Sequence, residues 1–237
     1  MRVRALDLRA DRVVRIAGRR HLLRDVTLSA TSGELVAVLG RNGAGKTTLL
    51  SVLAGRQNPD GGRVTLAIDG RPATGAAARA AIGMLPHDLL IYPDLTAREN
   101  LAFFMTLAGR APDGAFVSDV LARIGLARDG DRPVRQFSRG MQQRTALGRL
   151  LVSGADAWVL DEPTTGLDES GRRWLLALLS EQVAAGRLVL MSSHHPSEVA
   201  ACATRTVVLE AGRVVLDGPG GADGTAAAFA RMDGGAA

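Results

Sequence analysis

One stretch, VAVLGRNGAGKTTLLSVLAG from Val36 to Gly55, limits the fold of this 237-residue chain more than any other. Gly40 to Thr47 fits the pattern G-x-x-x-x-G-K-T, between an apolar run suited to a buried strand and a run with helical spacing. A strand, a glycine-rich turn and a helix start bring backbone N–H groups and the positive end of a helix dipole to one point. A polyphosphate fits there, because no Cβ blocks its approach. The candidate nucleotide-binding residues are therefore Gly40, Arg41, Asn42, Gly43, Ala44, Gly45, Lys46, Thr47 and Thr48. Lys46 meets the β and γ oxygens, and Thr47 offers a hydroxyl to Mg²⁺. Lys46 is also the only lysine in the chain, the other 28 of 29 basic residues being arginine. A compact ammonium fits such a cradle and a broad planar guanidinium does not, so this lysine is kept for a phosphate.

A second acidic site is expected beside the first. In ADAWVLDEPTTGLD an apolar strand ends in Asp161 and Glu162, at the carboxyl end of a buried strand where open α/β sheets bind ligands. Asp161 can hold Mg²⁺ through water, and Glu162 can polarise an attacking water as general base. The cofactors expected are ATP and Mg²⁺.

The rest of the chain reads as an α/β protein of one domain, residues 1–237. RVRALDL and DVTLSA alternate as strands of an antiparallel edge, whereas LVAVL, AWVLD and RLVLMSS are continuous apolar runs typical of buried parallel strands. From about Thr96 to Val152 apolar residues recur at helical spacing with no convincing strand, which predicts a helical subdomain inserted at about residues 89–154. The tail at 218–237 is rich in glycine and alanine and is expected to pack weakly.

No run of about 18 apolar residues occurs, and the N-terminus lacks the apolar centre of a signal peptide, so a cytosolic location is expected. The single cysteine, Cys202, excludes an internal disulfide framework and any multi-cysteine metal site; it reads as a small core residue. A net charge of +5 could suit nucleic acid, but the arginines are scattered and only 3% of residues are aromatic. No nucleic-acid partner is expected. A basic face suits an anionic membrane surface instead.

Together these residues resemble the ABC transporter ATPases, from about Val3 to Val215. GRNGAGKTT resembles the family's Walker A, WVLDE its Walker B, TGLD ending at Asp168 its D-loop, and SSHHPSE its switch segment with His194 as the switch histidine. FSRGMQQR resembles the LSGGQ signature at Ser138 and Gly140, with Phe137, Arg139 and Met141 as departures. The resemblance implies a P-loop NTPase fold and ATP hydrolysis by two copies paired head to tail. Glu162 and His194 are then catalytic, Thr47 and Asp161 hold the metal, and Ser138, Gly140 and Asp168 complete the nucleotide site across the interface. It also implies a polytopic membrane permease subunit as partner and a peripheral place on the cytoplasmic face of the inner membrane.

Two further departures bear on function. Ala17 stands where the family stacks adenine on an aromatic ring, and His87, followed by Asp88, replaces the Q-loop glutamine. The chain is most similar to the ATPase of the haem exporter of cytochrome c biogenesis, and related ABC-2 exporters of drugs, polysaccharides or sodium share much of YPDLTARENL and TTGLD. A nucleotide-gated module with weak hydrolysis and a soluble ABC ATPase remain as readings of the same motifs.

Overall fold

The computed structural model describes residues 3–234. The chain opens with β1 (Leu6–Ala17), β2 (Arg20–Thr31), β3 (Leu35–Leu39), α1 (Lys46–Leu53), β4 (Gly61–Ile68), β5 (Arg71–Ala73), α2 (Gly75–Ala81) and β6 (Ile82–Leu85). Three helices follow, α3 (Ala97–Leu107), α4 (Gly114–Arg123) and α5 (Arg139–Ser153). The last part holds β7 (Ala157–Leu160), α6 (Glu169–Ala184), β8 (Leu188–Ser192), α7 (Pro196–Cys202), β9 (Arg205–Glu210), β10 (Arg213–Pro219) and α8 (Gly221–Gly234).

β1, β2, β4 and β5 form an antiparallel sheet in the order β2-β1-β4-β5. In β1 the alternate residues Leu6, Leu8 and Ala10 are buried while Asp7 and Arg9 turn outward, the pattern of a sheet with one wet face. The second sheet runs β10-β9-β3-β8-β7-β6 and is parallel except at β9–β10. Its central strands are buried on both faces, which is why they read as unbroken apolar runs. Val36, Val38, Val159 and Leu190 join the core beneath the antiparallel sheet, whereas Leu35, Leu39, Trp158 and Met191 join the core under α5, α6 and α7. A third core, built on Leu101, Leu121, Ile124 and Val134, lies among α3, α4 and α5.

The register fixes where function can sit. Val38 of β3 pairs with Ser192 of β8, and Leu160 of β7 pairs with Met191, so all three strands end at one edge of the sheet. The glycine-rich loop, Asp161-Glu162 and the His194 segment leave from that edge.

Of the tail expected to pack weakly, residues 218–237, the stretch 235–237 lies outside the described residues and the described part includes α8: the others up to Met232 are exposed or half-buried, but Ala228 is buried completely and Thr225 almost so. Small residues make this possible by permitting close approach: a Cβ on Gly224 would sit 1.9 Å from the Pro219 carbonyl oxygen. Phe229 and Met232 then pack onto the core under α7.

Candidate functional site

The glycine-rich loop holds conformations that only glycine adopts cheaply. Gly45 has φ +107°, and a Cβ there would lie 2.6 Å from the Leu22 carbonyl oxygen; at Gly40, φ +155°, it would lie 2.4 Å from that of Leu209. α1 starts at Lys46 with no side chain capping its first turn, so its amide groups stay free to face a ligand. Lys46 is buried, and its Nζ donates to the carbonyls of Gly40 at 2.8 Å and Arg41 at 3.4 Å. Asn42 to Thr48, with Leu22 and Glu162, line a depression of about 230 Å³. The structure therefore brings Lys46, Thr47, Thr48 and Glu162 to one concave surface.

Asp161 and Glu162 are held by a residue that the sequence did not single out. Ser192 Oγ donates to Asp161 Oδ1 at 2.6 Å and accepts the Glu162 amide at 2.8 Å. Asp161 is buried, while Glu162 keeps 23% of its side chain exposed. Glu162 adopts φ +49°, a left-handed conformation that costs a non-glycine residue on the order of 1–3 kcal/mol. The bond from its amide to Ser192 helps hold it there. His194 lies alongside, with Nδ1 3.2 Å from Glu162 Oε2. Its ring also packs on that of His195, centroids 4.0 Å apart.

Ser138 and Gly140 stand elsewhere. Ser138 caps α5, its Oγ accepting the Met141 amide at 3.3 Å, and is exposed. Gly140 faces the loop after Glu162, where a Cβ would meet the Gly166 carbonyl oxygen at 3.3 Å. Neither residue lines the depression around Lys46. Asp168 caps α6, accepting the Gly171 amide at 2.7 Å. That bond, helped by the Ser170 hydroxyl, holds its carboxyl below the usual carboxylate range.

The donor set suits Mg²⁺. This ion keeps several waters and takes one or two protein oxygens beside substrate phosphates, so it needs no dedicated cage. The Thr47 hydroxyl on the depression and the Asp161 carboxylate at the end of β7 are oxygens of that kind. Among the described residues no group of three or more His, Cys, Asp or Glu could hold a metal by itself.

Ala17 lies exposed at the end of β1, opposite Arg20, with His21 opposite Ile16 in the next pair. Its neighbours are tied to Asp60: Arg15 Nη1 donates to both carboxylate oxygens, and the Ile16 amide donates to Oδ2 at 2.7 Å. His87 and Asp88 are exposed on the loop after β6. Both ends of that loop are gripped by Arg149, whose guanidinium donates to the carbonyls of Met84 at 2.8 Å and Leu90 at 3.3 Å. Burial, with a smaller contribution from Arg56, pulls the Arg149 pKa down to about 10. Nothing in the spacing of Ser192 or Arg149 marks them in the sequence, since their partners lie 31 and 65 residues away.

Residues 23–165 match the model of the ABC transporter family. The cytochrome c biogenesis ATP-binding export protein CcmA of Salmonella typhi is 39% identical over 193 residues, 81% of this chain and 92% of that protein. The Nod factor export ATP-binding protein I of Burkholderia orbicola (strain AU 1054) is 35% identical over 220 residues, 92% of this chain and 72% of that protein. In fold, the chain resembles a dimeric ATP-binding cassette in a post-hydrolysis state with ADP and Pi bound, with TM-score 0.80, 23% identity and coverage of 90% of this chain and 98% of the other. It also resembles a bacterial Atm1-family ABC exporter with ATP bound, with TM-score 0.81, 27% identity and coverage of 95% and 41%.

Proposed function

The chain belongs to the ABC transporter family as an ATP-hydrolysing subunit, and from that premise we propose that it powers an exporter as a head-to-tail pair beneath a separate membrane subunit. The observation that carries the reading is the meeting of Lys46, Glu162 and His194 at one edge of the sheet while Ser138 and Gly140 lie outside it. A site complete in the phosphate-binding half and lacking the signature half calls for a second copy.

Within the site each group has a chemical task. Lys46 and the free amides of α1 bind the β and γ phosphates. Glu162 takes a proton from water, whose oxygen attacks the γ phosphorus as the bond to the β–γ bridging oxygen breaks; ADP and phosphate leave. His194, 3.2 Å from Glu162, orients that water. The Thr47 hydroxyl and Asp161 carboxylate are the groups that would hold Mg²⁺, which supplies charge neutralisation at the phosphates. From the partner copy, Ser138, Gly140 and the first turn of α5 close over the γ phosphate, with Asp168 at the shared interface.

A groove between β6 and α3 gives the membrane subunit a place to dock. It measures about 1080 Å³, is lined by five arginines including Arg79, Arg110 and Arg149, and has no carboxylate among its described lining residues. Leu90, Tyr92 and Leu107 beside it are 45%, 47% and 70% exposed. An apolar segment carrying acidic side chains complements it. Among the described residues no helix is long and apolar enough to cross a membrane, which fits a peripheral place on the cytoplasmic face of the inner membrane.

The exported solute is read from relatives alone. The CcmA relative favours haem export for cytochrome c biogenesis. The Nod factor relative keeps another ABC-2 type exporter as the second reading. Loss of haem-loaded cytochrome c in a strain lacking this chain supports the first; normal cytochrome c overturns it.

Pairing is tested by mixing variants. Lys46→Ala abolishes nucleotide binding, and Ser138→Arg abolishes turnover but not binding. Mixed together they regain activity through one composite site that is intact on both sides. No regain in a mixture shown to contain heterodimers, or activity from a proven monomer, sinks the paired reading.

A further inference from the structure

Glu198 is a buried carboxylate that the reaction as described does not use. It lies in the first turn of α7 and is 4% exposed. Its Oε2 accepts two hydroxyls, Ser193 Oγ at 2.8 Å and Thr164 Oγ1 at 3.0 Å, and both donors are themselves buried. Its Oε1 is buried with no hydrogen-bond partner among the described residues.

Burying a carboxylate on two neutral donors costs stability, and a buried oxygen without a partner adds to the cost. The position is therefore poorly explained by stability. Its contacts explain it better. Ser193 directly precedes His194, and its Oγ also accepts the His195 amide at 3.1 Å. Thr164 belongs to the loop from Pro163 to Asp168 that follows Glu162. The same loop is fixed from its other side by Gln143 of α5, whose Nε2 donates to the Pro163 carbonyl at 2.6 Å. A single carboxylate oxygen thus joins the chain next to His194 to the loop next to Glu162. Ser192 makes a parallel link one residue earlier, through Asp161 and the Glu162 amide.

We infer that Glu198 is a positioning residue for ATP hydrolysis: it clamps the Thr164 loop to Ser193 and so sets His194 against Glu162. Through Gln143 the clamp also ties that pair to α5, the helix that Ser138 caps. The inference rests on the assignment of Glu162 and His194 to water attack.

The test uses the full chain, with steady-state ATPase rates, an ATP-binding titration and thermal unfolding measured on each variant. Glu198→Ala removes the acceptor; kcat falls by about ten- to a hundredfold while ATP affinity stays within about twofold, because misplacement acts on the chemical step. The melting temperature does not fall in step, since a costly buried charge has gone. Glu198→Gln keeps an oxygen for both hydroxyls and restores most of the lost rate. Thr164→Val slows turnover alone and adds little to Glu198→Ala, as expected for two ends of one contact. A purely structural role would instead lower ATP affinity, melting temperature and kcat together, and that result overturns the inference. Unchanged kcat in Glu198→Ala overturns it as well. If Glu198→Ala does not fold, Thr164→Val decides by the same readouts. Glu162→Gln serves as control: normal turnover there overturns the reading of the site itself, whereas loss there with normal Glu198→Ala and Thr164→Val overturns only the clamp.

Discussion

Nδ1 of His194 stands 3.2 Å from Oε2 of Glu162, at the edge where the central strands end. The contact leaves Glu162 23% exposed, enough for a water to reach the same carboxylate. Glu162→Gln keeps the shape and the amide bond to Ser192 but removes the base. Turnover is expected to fall by about a hundred- to ten-thousandfold, with ATP binding retained and an ATP-bound pair accumulating. Rapid-quench and gel-filtration measurements check both parts, and near-normal turnover would show that another group takes the proton.

Ser192→Ala tests the support of that pair. The hydroxyl serves a buried carboxylate and the amide of a residue held at φ +49°, so its loss leaves both without their partner. Hydrogen bonds to charged groups contribute about 1.5–3 kcal/mol, and unfolding free energy in urea should fall by that order. An unchanged urea midpoint would mean that Asp161 and Glu162 are held by other contacts.

Base recognition is open to a gain of function. Arg15 and Ile16 are both engaged with Asp60, which leaves Ala17 as the exposed residue at the end of β1. With no aromatic side chain at position 17 itself for adenine to stack on, ATP and GTP should bind with similar strength. Ala17→Tyr should tighten ATP binding by about 1 kcal/mol. Competition titration with both nucleotides checks this; strong native preference for ATP would assign the base to some other side chain.

Cys202 offers a pH test of the core. Burial first, and the nearby charge of Glu198 second, push its thiol up to about 12 from an ordinary 9.0. Folding therefore favours the protonated form. That contribution is fully present below about pH 9 and is lost as pH rises toward 12. Maleimide labelling at pH 8 should be slow and should follow unfolding; labelling as fast as a free thiol would place Cys202 at the surface.

The fold was legible where physics leaves a local mark. β3, β7 and β8 are buried on both faces, so their apolar runs are unbroken, and the glycine-rich loop needs its residues in fixed order. β6, only Ile82–Leu85, left no such mark: it is four residues long, follows an alanine-rich helix and carries Gly83. A Cβ there would press Leu150 of α5 at 2.9 Å, a long-range reason invisible along the chain. α8 was hidden for the same reason, since alanine and glycine read as weak packing when they permit close packing. In the site, Lys46 and Glu162 follow from motif and context, whereas Ser192 and Glu198 act through partners on other elements, and serine or glutamate near a histidine carries little signal alone.

The loop after β6 carries the last expectation. Arg149 fixes its ends at Met84 and Leu90, while His87 and Asp88 between them are exposed. Mg²⁺ is a hard ion that prefers oxygen, so the His87 imidazole is a poor replacement for the amide oxygen of a glutamine. Asp88 carries an oxygen one position on, of the kind a hydrated Mg²⁺ takes. Asp88→Ala should then raise the Mg²⁺ concentration for half-maximal hydrolysis by about tenfold, the size of effect seen for outer-shell partners. His87→Gln should be tolerated or faster, because it supplies the oxygen directly. ATPase rate against Mg²⁺ for the native chain and both variants gives the answer. An unchanged midpoint in Asp88→Ala, with a large loss in His87→Gln, would move the role from the carboxylate to the imidazole and make His87 a contact for water or for the membrane subunit.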